Sequence, residues 1–332
     1  MSTTTTPTAA PPVRPRTGPF VSLLQRQAAL IALLLLLLFG SLRYTGFLSV
    51  FNLSSLVQSN VYYGLIALGM TFVIMTGGID LSVGSVAALG SVLAALMSPH
   101  GLLPALAVSI LAGAAIGLVN GWLVAKVNIL PFIVTLASLL AVRGLAFVVA
   151  HGQNVGVDAG SGFTLIEQGY VGIVPVPAII LVVAFLLGSL ALNFTPWGRH
   201  VLAIGGGEDA SRLMGLNTDS VKISVYVLSG ALAGMAGAML AAQTFSGIPA
   251  EGVGWELTAI AAVVVGGTLL TGGQGSVGAT LSGTLLLGLI LSILNFENGL
   301  GRFNFSTYWQ TVIRGLFLLV VVLSQSRAFR RR

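Results

Sequence analysis

The chain has 332 residues, of which 15 are Lys or Arg and 9 are Asp or Glu, so charged groups make up 7%, against roughly 25% in soluble domains. With 55% apolar residues, 43 glycines and a mean hydropathy of +0.98, it has too little polar surface to coat a globule, which excludes an ordinary soluble protein and leaves lipid as its solvent. The absence of cysteine excludes disulfides, thiolate metal sites and cysteine nucleophiles, without fixing the redox compartment.

Residues 1–26, with Thr3 to Thr6, Pro7, Pro11, Pro12 and Pro15, lack apolar periodicity and carry Arg14 and Arg16, which predicts a disordered cytoplasmic tail. Basic residues followed by Leu30 to Leu38 mimic a secretory signal. No small-residue cleavage site follows, so this segment is expected to be an uncleaved first span. Apolar windows then fall at about 27–42, 56–76, 81–98, 102–125, 129–150, 174–194, 223–245, 257–270, 277–295 and 308–325. At about 20 residues per spanning helix, these predict an all-α membrane protein of about ten transmembrane helices. The membrane domain would cover 27–326, with a cytoplasmic loop at 195–222 and a basic cytoplasmic tail at 327–332. Runs such as Leu33 to Leu38 or Ala261 to Val265 are apolar on every face, unlike the period-two alternation of a β-barrel strand.

The positive charges follow this topology. If the chain starts inside, the inward segments hold Arg14, Arg16, Arg26, Lys126, Arg199, Arg212, Lys222, Arg327, Arg330, Arg331 and Arg332. The outward loops hold only Arg43 and Arg302, while Arg143 and Arg314 lie within spans. The positive-inside rule therefore puts both termini in the cytoplasm of a multi-pass membrane protein, and nucleic acid is not an expected partner.

Between the second and third windows, Gly69-Met-Thr-Phe-Val-Ile-Met-Thr-Gly-Gly-Ile-Asp-Leu-Ser-Val-Gly84 sets a glycine pair, an acid and a hydroxyl at a helix boundary. Gly77 and Gly78 would end one helix, and Asp80 or Ser82 would cap the next. This is either a tight turn or a broken helix whose free backbone groups and positive end face a polar pathway. The phrase Thr76 to Gly84 resembles Thr271 to Gly278 with one gap, which points to an internal repeat. Arg143 lies about two turns from the nearer end of its window, where an uncompensated charge costs at least about 2.5–3.5 kcal/mol on insertion scales. It should face a partner or a wet cavity, and Glu256, Asp80 and Asn120 are the candidate partners. Glu256, at the mouth of its window beside Trp255, reads equally as an outward rim residue.

The loop Gly198 to Lys222 carries Glu208 and Asp209 where a helix start favours acids, Arg212 near a helix end, and Gly215 as a C-cap. About two turns of helix are expected at 208–214, either a docking element or a solvated amphipathic turn. No G-x-x-x-x-G-K-[ST] occurs, because neither Gly205 to Gly207 nor Gly272 to Gly278 is followed by Lys and Ser or Thr, so this chain has no P-loop for ATP. His100, His151 and His200 lack metal-ligand spacing, and no G-x-S-x-G elbow is present. No catalytic residue, metal site or bound cofactor is expected.

At four ordered motifs the chain resembles the permease subunits of bacterial sugar ABC importers, the ribose, xylose and galactofuranose group. The motifs are Gly69 to Gly84, Pro131 to Gly144, Gly198 to Gly215 and Glu256 to Gly278, and the wording of Gly266 to Gly275 with Asn295 to Gly299 is most similar to a galactofuranose permease. The resemblance implies a type II importer bundle paired with a second permease, the same or a paralogous chain. It also implies an ABC ATPase subunit that holds ATP and magnesium, and an extracytoplasmic sugar-binding protein. On this resemblance Arg199, Glu208, Asp209, Arg212 and Gly215 couple to the ATPase, and Asp80, Ser82, Asn120, Arg143 and Glu256 are the pathway candidates. It further implies inverted halves, which conflicts with the Thr76/Thr271 repeat, since that match relates helices of equal direction. A branched-chain amino-acid permease and an ion-coupled secondary transporter are the alternative functions.

Overall fold

The computed structural model describes residues 27–300 together with Trp309, Val312, Ile313, Gly315, Leu316 and Leu319. The expected tails at 1–26 and 327–332, most of the last apolar window, Arg302 and Arg314 lie outside the described residues. The described chain is built of helices, α1 (Ala28–Arg43), α2 (Val50–Gln58), α3 (Val61–Met75), α4 (Val83–Met97), α5 (Leu102–Ala125), α6 (Pro131–Val149), α7 (Leu165–Gln168) and α8 (Val176–Phe194). They continue as α9 (Pro196–Gly206), α10 (Glu208–Leu213), α11 (Thr218–Thr244), α12 (Trp255–Val265) and α13 (Val277–Gly299). Sheet is confined to two-residue pairs, Val155 opposite Gly247 with Gly156 opposite Ser246, and Tyr170 opposite Pro175 with Val171 opposite Val174.

Among the described residues, six helical segments are long and apolar enough to span a membrane, and α2 with α3 forms a seventh that bends by 48°. The shorter apolar helices α1 and α12 fill out the bundle. Three boundaries differ from the sequence expectation. The window at 56–76 is two helices, because the backbone turns at Ser59 and Asn60. Helix α11 begins at Thr218, five residues before its window, because Asn217 accepts the Ser220 N–H as a side-chain cap. Helix α12 stops at Val265 rather than 270, where Gly267 takes a left-handed φ of +92° and Thr268 N–H returns to Val263 O.

Helix α11 is the centre of the bundle, and α5 lies antiparallel against it. Glycines at a four-residue spacing, Gly113, Gly117 and Gly121, face Gly230, Tyr226 and Ile223, and at Gly113 and Gly117 a Cβ would collide with the opposing carbonyl. On another side of α11, Gly234 O lies 2.8 Å from where a Cβ of Gly90 on α4 would be. Small residues thus bring backbones together where lipid supplies no hydrophobic drive for helix association. The Ser109 hydroxyl joins α5 to α4 by donating to Gly90 O at 2.8 Å. Helix α3 is buried from Gly64 to Met75, packed on α11 and α13 with a Thr71–Thr280 hydroxyl contact of 2.9 Å. By contrast α5, α6 and α8 present Leu111, Leu118, Leu140, Val148, Val182 and Leu186 outward.

The described basic residues separate by end. Lys126, Arg199, Arg212 and Lys222 lie at or near one end, joined in part by ion pairs. Arg43 lies at the other, paired with Glu297 at 3.7 Å, while the Tyr44 hydroxyl donates to the same carboxylate at 2.7 Å.

Gly117→Val should lower thermal stability in detergent by about 1–3 kcal/mol through overpacking against Tyr226. Gly144→Ala, with open space around its Cβ position, should be neutral or stabilising. Equal melting temperatures for both variants would contradict the close α5/α11 contact.

Candidate functional site

At the basic end, α10 is a six-residue helix with Glu208 and Asp209 in its first turn and Arg212 in its last. Its C-terminus is closed by Gly215 at φ +84°, whose N–H donates to Arg212 O at 3.0 Å while Leu216 N–H donates to Ser211 O at 3.1 Å. The inner side is held by charge. Lys222 pairs with Glu208, Arg212 pairs with Glu208 at 3.3 Å and with Asp219 at 3.2 Å, and Lys126 pairs with Asp219 at 2.8 Å. This links α10 to α11 and to the end of α5. The outer side is apolar, with Leu213 90% and Met214 71% exposed. Arg199, Asp209 and Gly215 are exposed on the same end.

Helix α9 carries this surface inward. At Gly205 a Cβ would collide with Met75 O and Gly273 N, so the backbone of α9 is wedged between the end of α3 and the loop after α12. Gly273 N–H donates to Met75 O at 2.9 Å. The two similar phrases therefore meet in space, and they are equivalent at their ends, where Ser82-Val83-Gly84 and Ser276-Val277-Gly278 each open the following helix with the serine at the N-cap, but not at their glycine pairs. Gly77 and Gly78 close α3 directly, with Gly77 at φ +80° and Gly78 N–H donating to Val73 O at 3.0 Å. In α12 that job falls to Gly266 and Gly267, and Gly272 and Gly273 lie several residues further on, so the glycine pairs of the two phrases hold different places. A cleft of about 250 Å³ separates the α3/α4 break from α10, lined by Thr76, Gly77, Gly78, Asn128, Glu208, Lys222 and Tyr226 among others.

Behind the break, Asp80, Ser82 and Asn120 come together, all at most 2% exposed. Asp80 Oδ1 accepts from Ser82 N–H at 3.0 Å and from the Ser82 hydroxyl at 2.6 Å, and Oδ2 accepts from the Ser229 hydroxyl at 2.9 Å. Asn120 Nδ2 donates to Ser82 Oγ at 3.0 Å. The expected cap of α4 is thus corrected. Neither side chain caps the first turn, and Asp80 instead receives the N–H of the residue that precedes it. The cluster ties α5 and α11 to the start of α4, and it is closed off from solvent within this chain. Ser229 was not legible as a member, being one hydroxyl in a glycine- and alanine-rich helix.

Arg143 on α6 is half-buried and reaches neither Asp80 nor Asn120. Its Nη1 donates to Pro249 O at 2.8 Å and also to Glu251 O, so its hydrogen-bonding partners are backbone carbonyls of the segment leading into α12. Glu251 and Glu256 are within electrostatic reach of it. The Glu256 carboxylate lies 2.8 Å from where a Cβ of Gly84 would be, against the first turn of α4.

The family described as the permease component of branched-chain amino acid transport systems matches residues 52–322. The ribose import permease RbsC of Bacillus subtilis (strain 168) is 40% identical over 307 residues, covering 92% of this chain and 94% of the relative. RbsC of Escherichia coli (strain K12) is 40% identical over 313 residues with the same coverage. The L-arabinose ABC transporter permease AraH of Azospirillum brasilense is 37% identical over 327 residues, covering 98% and 94%. No solved structure gives a significant match.

Asp80→Ala strips the acceptor from the Ser82 amide and from two buried hydroxyls, and should destabilise the detergent-solubilised protein by at least about 1–3 kcal/mol. Ser229→Ala, which removes one donor, should cost less. A melting temperature for Asp80→Ala equal to that of the parent would refute the clamp.

Proposed function

We propose a function from one premise: the chain belongs to the family of permease components matched over residues 52–322. Within it, this chain is the membrane subunit of an ABC importer that carries a monosaccharide, and the ribose and arabinose permeases among its relatives favour a pentose over galactofuranose or an amino acid. The chain is a non-catalytic subunit without a P-loop, so a separate ATPase subunit supplies ATP and magnesium. An extracytoplasmic binding protein delivers the sugar, and a second permease, identical or paralogous, completes the pore. The basic end is cytoplasmic.

The observation that carries this reading is the wedge of Gly205 between Met75 and Gly273. Helix α10 offers an apolar tip, Leu213 and Met214, to a partner, while its other side is locked by ion pairs to α11, whose Asp219 in turn pairs with Lys126 at the end of α5. A push on α10 is passed through the short α9 to both helix ends at once, and the cleft beside Gly77 gives it room to move. ATP-driven closure of the partner would then tilt α3/α4 and α12/α13 together, opening the bundle alternately to each side.

For the sugar path, Arg143 and Glu256 are the half-buried charges we assign to the wall, with Asp80, Ser82 and Asn120 positioning α4 behind it. A neutral sugar is recognised by hydroxyl, amide and backbone groups and needs no counter-charge, which suits spans so poor in ions.

Gly215→Pro cannot adopt φ +84° and loses the N–H bonded to Arg212 O. In the reconstituted importer it should cut uptake at least about tenfold while insertion and ATP hydrolysis persist, and normal uptake would sink the coupling assignment. Arg143→Ala should reduce uptake severalfold with ATPase activity retained, and a fully active variant would return Arg143 to a purely structural role.

A further inference from the structure

Glu167 sits in α7, the four-residue helix of the segment between α6 and α8, at the end of the bundle opposite the coupling surface. Its side chain is only 1% exposed, and among the described residues neither carboxyl oxygen has a hydrogen-bond partner. Buried polar groups are nearly always paired, so a carboxyl left alone in this way calls for a physical reason. Phe163 and Ile166 anchor the same turn in the core, at 0% and 5% exposure.

Among the described residues, the surroundings offer no countercharge. Helix α7 packs against α11 and α8, and its Glu167 carbonyl accepts from Gln58 Nε2 at 3.2 Å at the end of α2. Helices α2 and α8 carry no charged residue. On α11 the charged groups are Asp219 and Lys222, in the first turns at the far end of the helix, while Gln243 at the near end donates to Gln58 O at 3.5 Å. In the loop before α7, Asp158 is occupied by the Gly160 N–H at 2.8 Å, and His151 is exposed. Gln58 is the residue after which the chain bends by 48° into α3, so α7 rests on the hinge of a spanning segment.

We propose that Glu167 is a proton-operated latch on the outer face: uncharged, it keeps α7 seated between α8 and α11 beside the α2/α3 bend, and ionised it drives α7 out of that seat. Burial pushes its carboxyl up to about 8 from an ordinary value of 4.5. The seated form therefore binds the proton more tightly than the released form does. Seating is strongest below about pH 4.5, weakens as pH rises, and reaches its weakest above about 8. Between those limits the population of the released form should grow about tenfold per pH unit. That the latch faces outward rests on the importer topology proposed above, whereas the latch itself does not.

The chain has no cysteine, so Ile166→Cys gives a single buried reporter whose maleimide labelling measures release of α7. Labelling rates are compared in the full-length protein with Glu167 intact and with Glu167→Gln added, which cancels the titration of the thiol. The ratio of the two rates should climb about tenfold per unit from pH 6 to 8 and level off above that. A ratio independent of pH overturns the latch. Should Glu167→Gln yield no folded protein, Glu167→Met serves as the uncharged reference with the same expected ratio. In proteoliposomes with the ATPase and binding protein, raising external pH from 7 to 9 should lower uptake at least fivefold in the parent and less than twofold in Glu167→Gln. Identical uptake profiles would overturn the link from latch to transport, whereas an absence of uptake at every pH would count against the importer reading and leave the labelling result standing.

Discussion

Everything in this bundle depends on backbones being allowed to touch. Gly113, Gly117 and Gly121 on α5 meet α11 backbone at Gly230, Tyr226 and Ile223, Gly234 on α11 meets Ser109 on α5 and Gly237 meets Ala87 on α4, and a methyl group at most of these glycines would meet a carbonyl oxygen. In lipid, apolar side chains gain nothing by leaving one hydrocarbon environment for another, so association rests on close packing and on polar groups that must find partners inside. The Asp80 cluster follows from that closeness. Only when α4, α5 and α11 approach to backbone distance can one carboxyl group reach the Ser229 hydroxyl while Asn120 reaches Ser82. The packing and the polar clamp are two consequences of the same small residues.

The same economy of side chains shapes the moving parts. Gly205, Gly273 and the carbonyl of Met75 form a junction of bare backbone through which the basic end meets two helix termini. Such a junction is stiff, because only backbone atoms meet within it. The ion pairs from Glu208, Arg212, Asp219, Lys126 and Lys222 are partly exposed, and their worth is in fixing the direction in which α10 points more than in stability. At the opposite end, aromatic contacts among Tyr62, Tyr63 and Trp255 and the Arg43–Glu297–Tyr44 group gather the helix ends.

The apolar windows, the glycine break at Gly77 and the helix at 208–213 were legible because each has a local cause: hydropathy, an obligatory left-handed φ, or acids and a base at the two ends of one turn-rich segment. The bend at Ser59 and Asn60 was not, since an averaged window passes over two polar residues. The repeat was legible at Ser82-Val83-Gly84 and Ser276-Val277-Gly278, which open α4 and α13 alike, whereas the glycine pairs differ because Gly77 and Gly78 end a helix and Gly272 and Gly273 belong to the loop between α12 and α13. Of the partners expected for Arg143, Glu256 is within electrostatic reach, while its hydrogen bonds go to carbonyls at Pro249 and Glu251, and backbone acceptors leave no mark in a sequence. Glu167 escaped notice because an acid between spans reads as solvated, and its burial is set by the distant helices α8 and α11.

A chain with this bundle and an exposed apolar tip at Leu213 and Met214 has its work defined by what crosses it and by what drives the crossing. The most direct measurement is uptake into proteoliposomes that contain the chain with its second permease, the ATPase and the binding protein, offering ribose, arabinose, xylose, galactofuranose and leucine in turn. ATP-dependent accumulation of a monosaccharide, with a pentose preferred and with loss of uptake when the ATPase is omitted, is the result expected. Uptake that persists without ATP and follows an ion gradient, or that selects leucine over every sugar, would contradict the account.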